Sequence, residues 1–406
     1  AQTSAGADAE AEPLLQQAQT LMAARQFAEA EKVYARFVER FPAHPRAGEA
    51  RARSAMAIAR QDRPVEAVAA IGQVEHDTSI KLDPTLRVSL YYEKAWCLRG
   101  LGKLDEAAKA YRQVLAETTG ALDLHAMLEI AEIEAGQKQF ETAAEDLRRL
   151  REALSTRSAE APAEVVEQCT YRLAVCEFEL GRFEESAGLF EEFINQFPKT
   201  SLLASASYYC GDALCKTGRY ERAVPYLTRV VKEFDTDPAY PASLLRLGDC
   251  QAALQRWALS EEAFNRYLDR FPEGDLWYQA RFGLGWAREN QKRYDEAMAA
   301  YQKVVEGHQG STAARAQFQI GQCLFAQGKH EDAVRELLKV DILYAYPEWS
   351  AAALYEAARC FEKLGKTTEA KQHFQQVEDK YEQTQWAKMA AQRLTELSSS
   401  MTLPGR

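Results

Sequence analysis

Ala95-Trp96-Cys97-Leu98-Arg99-Gly100-Leu101-Gly102-Lys103-Leu104-Asp105-Glu106-Ala107-Ala108-Lys109-Ala110-Tyr111 carries the pattern that decides the fold. A small residue, Ala95, is followed nine positions on by Leu104, twelve on by Ala107 and sixteen on by Tyr111. Apolar residues recur at helical spacing on both sides of Gly100-Leu101-Gly102-Lys103, with Tyr91, Ala95 and Leu98 before it and Leu104, Ala107, Tyr111 and Val114 after it. The stretch predicts an antiparallel helical hairpin. Small residues at the first and third of these positions let two backbones approach closely, and the residue at plus nine is expected to fill the gap beside them.

The pattern returns ten times, from Ala18, Ala55, Ala95, Ala131, Ala174, Gly211, Gly248, Gly285, Gly321 and Ala358, at intervals of 36 to 43 residues. At plus nine stand Phe27, Pro64, Leu104, Phe140, Phe183, Tyr220, Trp257, Tyr294, His330 and Thr367. Every residue at plus sixteen and plus nineteen is apolar or aromatic, a regularity that no solvent-facing helix would keep. A recurring period of this length marks stacked repeats, each burying its apolar sides against its neighbours. The expected architecture is all-α, a right-handed superhelical α-solenoid of ten hairpins over residues 11–381. A capping helix over 382–398 follows, with polar ends at 1–10 and 399–406 expected to remain unfolded.

The small, small, aromatic, Ala spacing resembles the tetratricopeptide repeat along nearly the whole chain. It departs from that family's usual pattern four residues before the small site, where Leu14, Tyr91, Met127 and Leu354 stand in place of Trp. Phe41-Pro42, Phe197-Pro198 and Phe271-Pro272 occur at one phase, where proline stops a second helix and helps set the next. Long repeats with this aromatic-proline exit look like the bacterial envelope group that includes the Tol-Pal system coordinator and the BamD-type outer-membrane assembly lipoproteins. The resemblance implies a non-catalytic protein-interaction scaffold, with no functional residue carried over from that group.

A net charge of -10 opposes nucleic-acid binding, because affinity for phosphates comes largely from Lys and Arg replacing counterions. Arg148 and Arg149 sit among Glu145, Asp146 and Glu152 and read as a solvated helix face. No apolar run approaches the roughly 20 residues needed to span a bilayer. The start at Ala1-Gln2-Thr3 resembles a mature terminus left by signal-peptide cleavage, although a trimmed chain would look the same. The periplasm, or another exported location, is therefore expected, with the cytoplasm as the alternative.

Five of the eight cysteines, Cys97, Cys176, Cys250, Cys323 and Cys360, fall two residues after the small site, where Cys acts as a small buried hydrophobe. Successive repeats lie roughly 9 to 10 Å apart, beyond disulfide reach, so these are expected to be free thiols. Unpaired cysteines favour the cytoplasmic alternative. Neither cysteines nor the six histidines adopt metal-ligand spacing, and no metal or cofactor is expected. Gly365-Lys366-Thr367 lacks the first glycine of a phosphate loop, and no nucleophile elbow occurs. No enzyme is expected, an active site on the loops being the remaining catalytic reading.

In such arrays the first helix of each hairpin lines the inner surface, which places groove residues at minus three, plus one and plus four from the small site. The candidate partner-binding residues are Tyr92, Trp96, Arg99, Tyr171, Phe178, Tyr208, Asp212, Phe282, Trp286, Glu289, Phe325, Tyr355 and Arg359. Aromatic anchors with sparse charge suit a peptide or helix of a partner protein, and Trp96 and Trp286 are the strongest candidates. The alternative for aromatics at minus three is packing between hairpins. The longer connections near His76–Pro84 and Ser155–Ala163 are either partner-specific loops or plain insertions. Self-association through exposed end faces is also open.

Overall fold

The computed structural model describes residues 2–118 and 121–399, with side chains from Glu10 onward except at Ala121. The expectations for residues 1 and 400–406 lie outside the described residues. The helices fall into two compact units, residues 1–198 and 199–406, whose boundary coincides with the Phe197-Pro198 exit. The first unit contains α1 (Gln2–Ala23), α2 (Phe27–Arg40), α3 (Ala47–Ala59), α4 (Pro64–His76), α5 (Pro84–Gly100), α6 (Leu104–Glu117), α7 (Ala121–Gly136), α8 (Phe140–Thr156), α9 (Ala163–Glu179) and α10 (Phe183–Gln196). The second contains α11 (Leu203–Lys216), α12 (Tyr220–Glu233), α13 (Tyr240–Ala253), α14 (Trp257–Arg270), α15 (Trp277–Asn290), α16 (Tyr294–Gly307), α17 (Ser311–Ala326), α18 (His330–Leu343), α19 (Pro347–Lys363), α20 (Thr367–Lys380) and the terminal α21 (Gln385–Ser399). Helix α1 begins inside the segment for which composition predicts no fold, continuing a helix anchored by buried Ala11, Leu15 and Ala18.

Each unit holds five hairpins, and the protein is an all-α repeat solenoid. All ten residues at the small site are buried, as are all ten at each of plus twelve, plus sixteen and plus nineteen. The contact that sets the spacing is within the hairpin. A Cβ placed on Gly211 would stand 2.6 Å from Leu227, on Gly248 2.6 Å from Phe264, and on Gly285 2.6 Å from Tyr301, each the plus-sixteen residue of the same repeat. Where Ser replaces Ala at plus twelve, its hydroxyl donates to the small residue's carbonyl, Ser186 to Ala174 and Ser260 to Gly248, both at 2.9 Å. The residue at plus nine does not fill this gap as expected. It is the first residue of the second helix in every repeat and only half-buried, because the plus-sixteen side chain already occupies the space.

The turn is equally uniform. Arg25, Asp62, Gly102, Lys138, Gly181, Gly218, Gln255, Lys292, Gly328 and Gly365, each seven after the small site, all have positive φ between 56 and 75°. In every repeat but the second, the next residue's amide bonds back to the carbonyl five residues earlier, as Lys103 does to Leu98 at 3.0 Å, which satisfies a carbonyl exposed at the first helix's end. Five of these ten positions carry a side chain in a conformation that glycine adopts freely.

The two longer connections are tied to the fold. Ile80 packs against Gly48, Asp83 accepts from the Thr85 amide at 2.9 Å to cap α5, and Arg157 grips Asp123 through two bonds of 2.9 and 3.0 Å. Neighbouring repeats are also linked along the turn edge by Arg63–Glu31, Arg182–Glu141, Arg256–Glu221 and Arg293–Glu261, at 2.6 to 2.7 Å. None of the eight cysteines is joined in a disulfide, and seven are buried. Burial pushes the thiols of Cys97 and Cys176 up to about 11 and those of Cys169 and Cys360 up to about 12, which keeps them protonated.

Two substitutions test this account. Gly285→Ala drives a methyl against the Tyr301 ring and is expected to cost about 1–3 kcal/mol, seen as a lower urea midpoint by circular dichroism. Lys138→Gly removes a left-handed side-chain residue and is expected to raise the same midpoint by about 1 kcal/mol of stability.

Candidate peptide-binding groove

Successive odd-numbered helices touch one another in addition to their hairpin partners, α3 with α5, α5 with α7 and α7 with α9 in the first unit, and α11 through α21 in turn in the second. No comparable contact joins two even-numbered helices among the described residues. The odd helices therefore form the inner layer of each unit, and the stripe they share is the candidate surface.

Aromatics at minus three belong largely to the core. Tyr92 meets Tyr111, Tyr171 meets Phe190, Phe282 meets Tyr301 and Tyr355 meets Phe374, with ring centroids 5.2 to 5.8 Å apart. In each pair the partner is the plus-sixteen residue of the same repeat, and the tilted or edge-on geometry is the one aromatic quadrupoles favour. Tyr171, Phe282 and Tyr355 are buried as a result, which corrects their expected place on an open surface; Phe282 keeps only an edge on the cleft described below. Tyr92 and Tyr208 keep an intermediate exposure.

Plus one is the position that faces outward. Trp96 is 46% exposed, whereas Trp286 is half-buried and packs on the core of the second unit. Arg359 is half-exposed and bonded to Glu356 at 2.9 Å. Asp212 departs from this tendency because Arg246, reaching across from α13, holds it buried at 2.6 Å. At plus four, Arg99 is neutralised by Glu129 and by Glu132, the latter at 2.7 Å. Phe178 packs edge-on to Phe183 and Phe325 tilts against His330.

Glu289 has a defined environment. Its carboxylate accepts from the Tyr301 hydroxyl at 2.7 Å and from Gln319 Nε2 at 3.0 Å, with Arg315 contributing a favourable charge. Burial is the largest influence and pushes the carboxyl above the ordinary glutamate value in spite of these partners.

A cleft of about 660 Å³ opens in the second unit where α13, α15 and α17 meet. Trp257, Phe264, Phe282 and Trp286 supply its apolar wall, Gly283, Ala252 and Ala253 its small floor, and Asp249 and Arg315 its charges. The Arg315 guanidinium carbon stands 4.4 Å from the Phe282 ring centre, 5.7 Å from Trp349 and 5.8 Å from Trp286, at cation–π distances. Trp349 donates its indole N–H to Ser311 at 3.3 Å. Burial pushes the Arg315 guanidinium below the ordinary arginine value.

The structure thus brings Phe282, Trp286 and Glu289 into one neighbourhood and assigns Tyr171 and Asp212 to packing. Arg315, Trp349 and Asp249 were not among the sequence candidates. Asp249 satisfies the plus-one rule, and Arg315 stands six residues before Gly321, one turn earlier on the same stripe. Extending the stripe by that turn would have found it. Among the described residues no helix is long and apolar enough to cross a membrane.

Family models described as "Tetratricopeptide repeat" match residues 15–75, 92–158 and 211–275, and a second set matches 168–200, 279–311, 315–341 and 352–384. No curated protein matches the sequence. Among solved structures, the C-terminal part of a repeat-containing protein from Cytophaga hutchinsonii is 15% identical, over 65% of this chain and 98% of that one, with a TM-score of 0.49. A protein of the same repeat type from Parabacteroides merdae is 16% identical, over 63% of this chain and 93% of that one, with a TM-score of 0.43.

The Glu289 carboxyl generates a pH test. Between the ordinary glutamate value and its raised folded value, the folded protein holds a proton that the unfolded chain releases, so its contribution to stability falls as pH rises through that window. Glu289→Gln keeps an acceptor for Tyr301 and removes the titration. Its melting temperature relative to wild type is expected to be most favourable at neutral pH and to lose that advantage as the buffer is acidified. A difference independent of pH would show that burial does not perturb this carboxyl.

Proposed function

Because the chain belongs to the tetratricopeptide repeat family, we propose that it is a non-catalytic scaffold binding a peptide or helix of a partner protein along its odd-helix surface. The observation that carries this reading is the solvent-open cleft of the second unit, with aromatic walls, a small-residue floor and two charged groups. Aromatic side chains bury large areas at little entropic cost. The proposed setting is the bacterial envelope, a reading supported by the long repeats with aromatic-proline exits. Eight cysteines with no disulfide among them favour a second reading, a cytosolic adaptor with the same fold.

In-cell crosslinking and affinity capture, comparing wild type with Trp96→Ala and Trp286→Ala, test both. Trp96→Ala is expected to leave the melting temperature unchanged, whereas Trp286→Ala lowers it modestly because that ring packs on the core. Loss of a specific envelope protein from the Trp286→Ala capture, at a temperature where the variant remains folded, supports the scaffold reading. A cytosolic set of partners moves the assignment to the adaptor. Captures identical for all three proteins would place the binding surface elsewhere.

A further inference from the structure

Resting on the peptide-groove reading, we propose that the cleft between α13, α15 and α17 takes a peptide segment in which an acidic side chain stands beside a bulky apolar one. The carboxylate pairs with Arg315, and the apolar group lies over Gly283 and Ala252.

Among the described residues two inner-layer arginines have no ion pair, Arg281 on α15 and Arg315 on α17, and of these Arg315 lines the cleft. Arg99 is held by Glu129 and Glu132, Arg172 by Glu132, Arg246 by Asp212 and Asp249, and Arg359 by Glu356. Among the described residues Arg315 has no ion pair and no hydrogen-bond acceptor; its close neighbours are the rings of Phe282, Trp286 and Trp349. The nearest carboxylates are otherwise engaged, Asp249 with Arg246 at 3.3 Å and Glu289 with Tyr301 and Gln319. A guanidinium held among aromatic rings still presents its N–H edge, the geometry that receives a carboxylate through two parallel bonds. Its partial removal from water strengthens attraction to an incoming anion.

The apolar requirement comes from the floor. A Cβ on Gly283 would collide with the Phe264 ring, so glycine at this position lets that ring pack against α15 at the wall of the cleft. An apolar side chain entering there meets aromatic surface on its sides and beneath it. Arg315 also bridges α15 and α19 through the Phe282 and Trp349 rings, contacts that use the guanidinium face.

Random 12-residue peptides displayed on phage and selected against the full chain test the inference, with wild type, Arg315→Gln, Arg315→Lys and Asp249→Asn as targets. Wild type is expected to enrich Asp or Glu next to Leu, Ile, Phe or Trp, and Arg315→Gln to retain the apolar preference while losing the acidic one. A synthetic peptide from the wild-type selection should bind Arg315→Gln more weakly by roughly tenfold or more, and replacing its acid by the amide should cost wild type a similar factor. Arg315→Lys retains charge but not the fork, so it should recover binding in part. Asp249→Asn removes a like charge beside the ligand and should tighten binding, a readout that does not depend on how Arg315→Gln folds. Apolar enrichment without acids in the wild-type selection would leave the peptide groove standing and make Arg315 a structural pin. Enrichment of basic side chains overturns the inference, and recovery of no peptide overturns it together with the groove reading.

Discussion

The distance between the two helices of each hairpin depends on one contact, a Gly or Ala against the bulky residue sixteen positions later. At Gly248 and Gly285 a single added carbon would stand 2.6 Å from the facing aromatic ring. Interiors packed at this density have no slack to absorb a methyl group, so the small residue sets how closely the backbones lie. The left-handed turn at plus seven follows from the same closeness, because the chain must reverse within a few residues to bring the second helix down onto the first. Lys138, Gln255 and Lys292 adopt that conformation even though they carry side chains. The packing of the hairpin outweighs the local cost.

The inner surface is shaped by what this contact consumes. The plus-sixteen residue recruits the minus-three aromatic of its own repeat as a stacking partner, which withdraws Tyr171, Phe282 and Tyr355 from solvent. Outward exposure is left mainly to plus one, and to the turn that precedes minus three. Where those positions bring Trp286, Asp249 and Arg315 around Gly283, a cleft results. Elsewhere on the stripe the arginines find carboxylates on the same or the next odd helix, and the surface is a set of closed ion pairs. These pairs neutralise the groove and leave one cation among aromatic rings.

The envelope resemblance and the free cysteines pull the expected location in opposite directions, and both derive from local sequence features. Cysteine at plus two is buried against the hairpin core, where its thiol is kept protonated by desolvation. Its packing role is therefore compatible with either compartment.

The sequence by itself determined the hairpin, its count and its core. Repetition makes each position's burial visible ten times over, and the demands at the small site, plus twelve, plus sixteen and plus nineteen are met inside one hairpin, within about twenty residues. The candidate groove was legible only in part. Phase alone put Trp96 and Trp286 at plus one, but could not say that Trp286 would pack on the core, that Tyr171 would be covered by Phe190 and Phe193 or that Asp212 would be buried under Arg246. Tertiary structure decided which charges are satisfied, because a guanidinium on one repeat pairs with a carboxylate roughly thirty to forty residues away, on a neighbouring helix whose rotation the linear pattern does not encode. Arg315 carries the same charge as the others in the sequence. Only the packing of α15, α17 and α19 surrounds it with rings in place of acids.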